Sequence, residues 1–282
     1  MILFWLACNN VEKKTDTESV DDTTINDTDE TDSGVASDTA DTTADDTEDT
    51  ATEESDTEET EEELPAEECD DAYLLELDFQ SSTPAQIWQY DLSTLSITDL
   101  GPLECPMNQS GDLLVAMTAD SKGFLWLSSM YGDIYRAVPA TMECQFMNIN
   151  ANISGQGFVA EGLAFMKDDP LSNDILYISG VMANSVNQEA AIAVQNGNAF
   201  NVLFSLSNIV YPNHIIDIAG TADGRLFGLR PLNGNSELME IDMNSGTITR
   251  QWELAVAAPQ GWSSVALTGQ HWLFTSSNAT TT

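Results

Sequence analysis

Short apolar stretches separated by polar turns run from residue 71 to the end of the chain. Within them apolar and polar positions alternate, which is the period of a β-strand that buries one face. Gly, Asp, Asn and Ser, the residues that form tight turns, stand between them. No stretch of about ten residues or more keeps the period of a helix. The pattern therefore predicts an all-β domain over residues 71–282.

These strands recur with a period of about 47 residues. One recurring feature is a strand, a polar turn and a second strand, and its first strand carries an alanine at Ala116, Ala164, Ala219 and Ala266. A second feature lies later in each copy and begins at Ile87, Ile134, Ile192 and Leu238. Two separate features with one period indicate units of four antiparallel strands, which are the blades of a β-propeller. A β-sandwich is the alternative, and the fixed period favours the propeller.

The repeat does not divide evenly into this domain. Residues 71–104 match the last three strands of a blade, three full blades follow, and residues 262–282 begin another. About four and a half blades are predicted, and an open ring would leave blade faces and strand edges exposed. We therefore expect an incomplete propeller whose parent ring has six or seven blades. In a complete chain, a strand at Ser264–Thr268 would instead close the first blade.

Charge separates this domain from the segment that precedes it. The chain has 8 Lys and Arg against 47 Asp and Glu, a formal net charge of −39. Residues 11–70 contain 26 of the acidic and 2 of the basic side chains, and no Phe, Trp or Tyr. Such a segment buries too little apolar surface to offset the entropy of ordering. Residues 9–70 are therefore predicted to be a disordered, acidic, Thr-rich linker.

The charge also limits the possible partners. Residues 71–282 carry 21 acidic and 6 basic side chains, so the domain itself is acidic. A protein of this charge does not follow a phosphate backbone, which excludes nucleic acid as the expected partner. Charge alone would not hold it on an anionic lipid surface either.

The first residues, MILFWLA followed by Cys8, resemble the end of a bacterial lipobox, in which a small residue precedes the cysteine that receives the lipid. Residues 1–8 are therefore interpreted as a partial lipoprotein signal. The segment lacks a basic start and is shorter than an ordinary signal, so a chance apolar terminus on a cytoplasmic protein is the alternative. The whole chain resembles the tethered, repeat-bearing lipoproteins of myxobacteria and their relatives. That resemblance implies a lipid anchor in the outer membrane of a bacterial cell envelope.

The other cysteines are Cys69, Cys105 and Cys144. An exported protein could join two of them in a disulfide. Their connectivity does not follow from the sequence.

Polar residues in two kinds of loop are the candidate ligand-binding residues. Propeller ligands usually meet the loops that lead into the inner strands and the turns between second and third strands. The first kind holds Asn108, Asp112, His214, Asp217 and Trp262, and the second holds Tyr131 and Asp133. The alternative role for any of them is to cap strands and line a water-filled axis.

Two short motifs, EGLAF from Glu161 and PNHIIDIAGTADGRLFGL from Pro212, resemble the strand openings of gluconolactonase-like and NHL/YVTN-type bacterial propellers. In the gluconolactonase family a Glu and an Asn in such openings hold a divalent metal. The resemblance implies Glu161 and Asn213 as the matching ligands for calcium or another divalent cation. Here the two residues lie in adjacent repeats, whereas the family draws them from more distant blades.

Two functions follow from these observations. The first is a binding module without catalysis or cofactor, tethered to the envelope, which recognises a protein or a glycan. The second is a metal-dependent, lactonase-like hydrolase that uses Glu161 and Asn213.

The lipobox interpretation predicts that Cys8 is lipidated. Radiolabelled palmitate fed to bacteria that express the full reading frame should enter the wild-type protein and not a Cys8→Ser variant. A soluble, unlabelled wild-type product would contradict the anchor.

Overall fold

The computed structural model describes residues 2–9, 71–78, 84–167, 173–221, 223–232, 235–257, 263–268 and 271–276. For residues 2–9, 71, 77–78, 255–257, 263–268 and 271–276 it describes the backbone alone. Residues 10–70, which hold nearly all of the predicted linker together with Cys69, lie outside the described residues, as does Trp262.

The described residues form four four-stranded antiparallel sheets and one two-stranded sheet. Blade 1 consists of β1 (Ile2–Asn9), β2 (Asp71–Asp78), β3 (Ala85–Asp91) and β4 (Ser96–Leu103). Blade 2 consists of β5 (Leu114–Ala119), β6 (Leu125–Ser129), β7 (Asp133–Val138) and β8 (Glu143–Asn150). Blade 3 consists of β9 (Phe158–Met166), β10 (Ile175–Met182), β11 (Glu189–Asn196) and β12 (Ala199–Val210). Blade 4 consists of β13 (Asp217–Gly220), β14 (Leu226–Leu232), β15 (Asn235–Asp242) and β16 (Thr247–Ala257). The two-stranded sheet is β17 (Ser263–Thr268) with β18 (His271–Ser276).

The first strand of each sheet lies at the centre of a ring. These inner strands, β1, β5, β9, β13 and β17, contact one another in chain order, and β17 also contacts β1. Neighbouring blades therefore cover each other's faces around the ring, which is how a propeller buries its sheets. The predicted all-β propeller of four-stranded blades is confirmed.

Each repeating feature falls on one kind of strand: the first on inner strands β5, β9, β13 and β17, and the second on the third strand of each of the four blades. Ala116, Ala164 and Ala219 lie on inner strands and are buried. The second feature begins on third strands, where the side chains are also buried, at Ile87, Ile134, Ile192 and Leu238. Small residues suit the crowded inner strands, while Ile and Leu fill the space between blades further out.

Blade 1 receives its inner strand from the beginning of the chain. β1 pairs antiparallel with β2 from Ile2 opposite Asp78 to Asn9 opposite Asp71. Residues 71–104 supply the other three strands, as predicted. The alternative in which Ser264–Thr268 closes this blade is wrong, because β17 pairs with β18. The apolar segment interpreted as a lipobox remnant is thus a strand of the sheet.

Local side-chain contacts hold two equivalent turns between third and fourth strands. In the first, Ser93 and Thr94 donate hydrogen bonds to the Asp91 carboxylate, which lowers the pKa of Asp91 to about 2. In the second, the Ser245 hydroxyl donates to Asp242 and lowers the pKa of that carboxyl. Short polar side chains of this kind fix turns through the backbone N–H groups that follow.

A disulfide between Cys105 and Cys144 ties the segment after blade 1 to the outer strand of blade 2. Its two ends are 39 residues apart, so it restricts a long loop of the unfolded chain.

The described residues contain no helix long and apolar enough to span a bilayer.

Deleting residues 2–9 should destabilise the propeller, because β2 would lose its ladder partner beside the buried side chains of Tyr73 and Leu75. We expect the Tm, measured by circular dichroism, to fall by about 10 °C or more. An unchanged Tm would show that blade 1 is stable with three strands.

Candidate functional site

Among the described residues, five loops lie on one face of the ring, named here the upper face. Strands one and three of each blade begin on this side, so both the connections between blades and the turns between second and third strands lie there. The upper-face loops are residues 108–113, 130–132, 151–157, 183–188 and 211–216. They correspond to the two kinds of loop from which the sequence predicted the ligand-binding residues.

Backbone hydrogen bonds join neighbouring upper-face loops from blade 2 to blade 4. The Ala151 N–H donates to the Gly132 carbonyl (2.6 Å), and the Ala183 N–H donates to the Gly157 carbonyl (2.7 Å). The Tyr211 N–H donates to the Gln188 carbonyl (3.1 Å). Because buried or bridging backbone bonds restrain loops, this part of the face is a preorganised surface.

Large apolar and aromatic side chains are exposed on this surface. Tyr131 is 43% exposed, Val186 is fully exposed at 100%, and Tyr211 is 57% exposed. Met130, beside Tyr131, is also exposed. Tyrosine presents a large rigid area with a polar end, which makes it frequent in binding surfaces.

Close to Tyr131, Asp133 has a hydrogen-bond donor on each of its carboxylate oxygens. Its two carboxylate oxygens accept hydrogen bonds from the side-chain amides of Asn108 (3.0 Å) and Asn150 (2.8 Å). Its own N–H donates to the Ser129 hydroxyl (3.1 Å). With each carboxylate oxygen accepting an amide, the buried Asp133 stabilises the loops, whereas Asn108 is exposed to solvent.

Asp112 is different, because half of its carboxylate has no hydrogen-bond donor. Its Oδ1 accepts the N–H groups of Leu113 (2.9 Å) and Tyr131 (3.2 Å). Its Oδ2 is buried and has no hydrogen-bond partner among the described residues. Burial raises the pKa of the neighbouring Tyr135 hydroxyl, and the charges of Asp133 and Asp112 raise it further.

Between blades 3 and 4, a buried histidine meets a carboxylate. His214 Nε2 lies 2.6 Å from Glu161 Oε2, with the side chains 6% and 14% exposed. The two atoms are not aligned as a hydrogen bond. The contact is an ion pair only when His214 is protonated. The His214 ring also stacks on Tyr211, with centroids 5.2 Å apart. This pair therefore supports the exposed Tyr211 from below.

Glycine allows this approach of blades 3 and 4. A Cβ on Gly162 would lie 2.7 Å from the Cα of Asp217, and a Cβ on Gly220 would lie 2.0 Å from the Phe165 carbonyl oxygen. Since real Cβ atoms are not found at such distances, only glycine lets β9 and β13 come so close. Glu161, directly before Gly162, is thereby brought to His214.

The structure places the predicted residues in separate settings. Asn108, Asp112, His214 and Asp217 lie on or just under the upper face, where Asp112, His214 and Asp217 are buried. Asn213 is exposed, and its N–H donates to the Val210 carbonyl (2.9 Å). Glu161 contacts His214, the residue that follows Asn213. No group of three or more His, Cys, Asp or Glu among the described residues is arranged to hold a metal.

Sequence reasoning missed two exposed residues, Tyr211 and Val186. Tyr211 lies two positions before the predicted Asn213, in a loop already singled out. Val186 lies in a turn between second and third strands, the class of turn from which Tyr131 was taken. Both residues could have been identified from their positions in the loops of the repeat. They were missed because only polar residues in those loops were taken as candidates.

No protein-family model and no curated protein sequence matches this chain. Solved structures with similar folds include the Dos1 propeller, 10% identical with a TM-score of 0.35 over 69% of this chain and 47% of that one. A calcium-binding regucalcin from Agrobacterium tumefaciens is 11% identical with a TM-score of 0.40, over 70% and 74% of the two chains. A luciferin-regenerating enzyme is 14% identical with a TM-score of 0.40, over 71% and 76%. This chain thus spans about half the length of the Dos1 propeller chain, and similarity at these levels transfers no activity or partner to it.

The contact between Glu161 and His214 predicts a specific loss of stability. Glu161→Gln should lower the free energy of unfolding by about 1–3 kcal/mol, because it removes the carboxylate that faces a buried imidazole. Urea denaturation measures the change. Glu143→Gln, which alters an exposed glutamate at the start of β8, is the matched control and should have almost no effect. Equal losses in the two variants would contradict a stabilising role for the pair.

The same variants test the predicted divalent-cation site. If Glu161 holds a cation, calcium, zinc or manganese should raise the Tm of the wild-type and Glu143→Gln proteins and leave that of Glu161→Gln unchanged. Equal shifts in all three proteins, or none, would remove Glu161 from a cation site.

Proposed function

We propose that the protein is a non-catalytic binding module that holds a protein partner on its upper face. The observation that carries the proposal is the exposure of Tyr131 and Tyr211 on loops joined by backbone hydrogen bonds. Exposed aromatic residues on a restrained surface gain binding energy with little loss of conformational entropy. A protein partner is favoured over a glycan because methionine and valine extend the exposed area beyond the two tyrosines.

We also propose that the module belongs to the bacterial cell envelope, anchored through a lipid on Cys8. The acidic segment after Cys8 supports this proposal because it would act as a spacer. Lipobox processing would, however, remove residues 1–7, which contribute to β1. The same segment therefore cannot be both removed for the lipid anchor and kept as the inner strand of blade 1. Mass spectrometry of the N-terminal peptide of the mature protein distinguishes the two possibilities. An N-terminal lipidated Cys8 supports the anchor, whereas a retained Met1 supports the strand.

Site-specific photocrosslinking tests the binding module. Benzoylphenylalanine at position 131 or 211 should give a crosslinked product of one discrete mass in cells that make the protein. The same residue at position 95 is the control, because Leu95 is 69% exposed in the turn between β3 and β4. Products at all three positions, or at none, would contradict a partner on the upper face.

The contribution of each tyrosine to the binding affinity can also be predicted. With the crosslinked partner in hand, Tyr131→Ser or Tyr211→Ser should weaken its binding about tenfold, the usual effect of removing a central aromatic contact. Calorimetry measures the affinity, and an unchanged Tm shows that the variants are folded. Wild-type affinity in both variants would place the partner elsewhere.

A further inference from the structure

Basic residues are unevenly distributed between the two sides of the ring. The five described upper-face loops contain no Lys or Arg. Carboxylates instead lie in these loops or at the strand starts beside them, namely Asp112, Asp133, Glu161, Glu189 and Asp217. The side of the ring around Tyr131 and Tyr211 is therefore negative.

The basic residues of the described blades lie elsewhere or are already paired. Lys122 lies in the turn between β5 and β6, Lys167 directly follows β9, and Arg225 lies in the turn between β13 and β14, all on the opposite side of the ring. Arg136 lies over the Phe124 ring, with its guanidinium carbon 4.7 Å from the centroid. Arg230, further up on β14, is 2.6 Å from Glu237, and Arg250 on β16 is 3.6 Å from Glu240. None of these side chains neutralises the carboxylates of the upper face.

Asp112 strengthens the negative potential at Tyr131. Its Oδ1 binds the Tyr131 N–H, so the carboxylate lies directly under that exposed residue. Because its Oδ2 is buried without a donor, its charge is only partly compensated by neighbouring groups. A buried, incompletely compensated carboxylate projects more of its field to the nearby surface than a hydrated one does.

We propose that the upper face binds a cationic segment of the partner protein, whose Lys or Arg side chains lie against Tyr131 and Tyr211. This inference rests on the proposed binding function and specifies the partner's chemistry. An aromatic ring attracts a cation over its face, and the carboxylates beneath add to that attraction. The net charge of −39 on the whole chain also favours the approach of a basic partner.

The acidic segment of residues 11–70 would attract any cationic probe, so the experiment must separate a site from overall charge. Val186 is fully exposed on the upper face, and Leu95 is largely exposed on the opposite side. Val186→Lys and Leu95→Lys therefore make the same change in net charge at exposed apolar positions. Val186→Glu and Leu95→Glu form the reverse pair. Because both positions face solvent, all four variants are expected to fold, and circular dichroism checks this.

The probe is a fluorescein-labelled peptide of alternating arginine and glycine, compared with serine–glycine and glutamate–glycine peptides of the same length. Fluorescence anisotropy with the full chain measures binding. The arginine peptide should bind and the other two should not. Val186→Lys should weaken its binding about threefold and Val186→Glu should tighten it about as much, the effect of one nearby charge in water. The Leu95 variants should stay close to wild type.

Several results would overturn the proposal. Equal effects at positions 186 and 95 would show attraction to the net charge alone. Failure of the arginine peptide to bind, or equal binding of all three peptides, would exclude a cation-selective face. If the partner crosslinked at Tyr131 or Tyr211 contacts the face through an uncharged or acidic segment, the binding function stands and the cationic partner does not.

Discussion

The close approach of β9 and β13 is the constraint on which the candidate site depends. Gly162 and Gly220 leave no room for a side chain between these inner strands, so blades 3 and 4 meet backbone to backbone near the axis. That contact brings Glu161 from one blade to His214, which precedes the next. His214 in turn stacks on Tyr211, so this exposed tyrosine is positioned by packing at the axis.

The two halves of the upper face are stabilised in different ways. Around blade 2, Asp133 binds the amides of Asn108 and Asn150, which leaves Tyr131 on a hydrogen-bonded base. Around blade 4, a stacked ring and a buried histidine–carboxylate contact replace that network. Both arrangements hold an aromatic side chain outward on loops whose backbones are tied to the next loop. Both tyrosines are therefore held with little freedom to move, which lowers the entropy cost of any contact they make.

The repeat made much of the fold predictable from sequence. Ala116 and Ile134 could be assigned to an inner and a third strand because each recurs with nearly the same spacing, and spacing survives when sequence identity is lost. The inner strand of blade 1 could not be assigned, because Ile2–Asn9 lies far from Asp71–Asp78 in sequence and an apolar chain start has other interpretations. His214 and Glu161 were predicted separately as candidates. Their contact depends on how closely two blades pack, and single-strand patterns carry no information on that distance.

The path of the chain through blade 1 has a further consequence. β1 and its partner β2 are separated along the chain by residues 10–70. The connection through residues 10–70 acts as a tether that keeps the strand at a high effective concentration near its sheet. One proteolytic cut in that connection would leave β1 bound without a covalent link, as a peptide that can dissociate. The inner strand would then be exchangeable, and the ring would become a two-component complex.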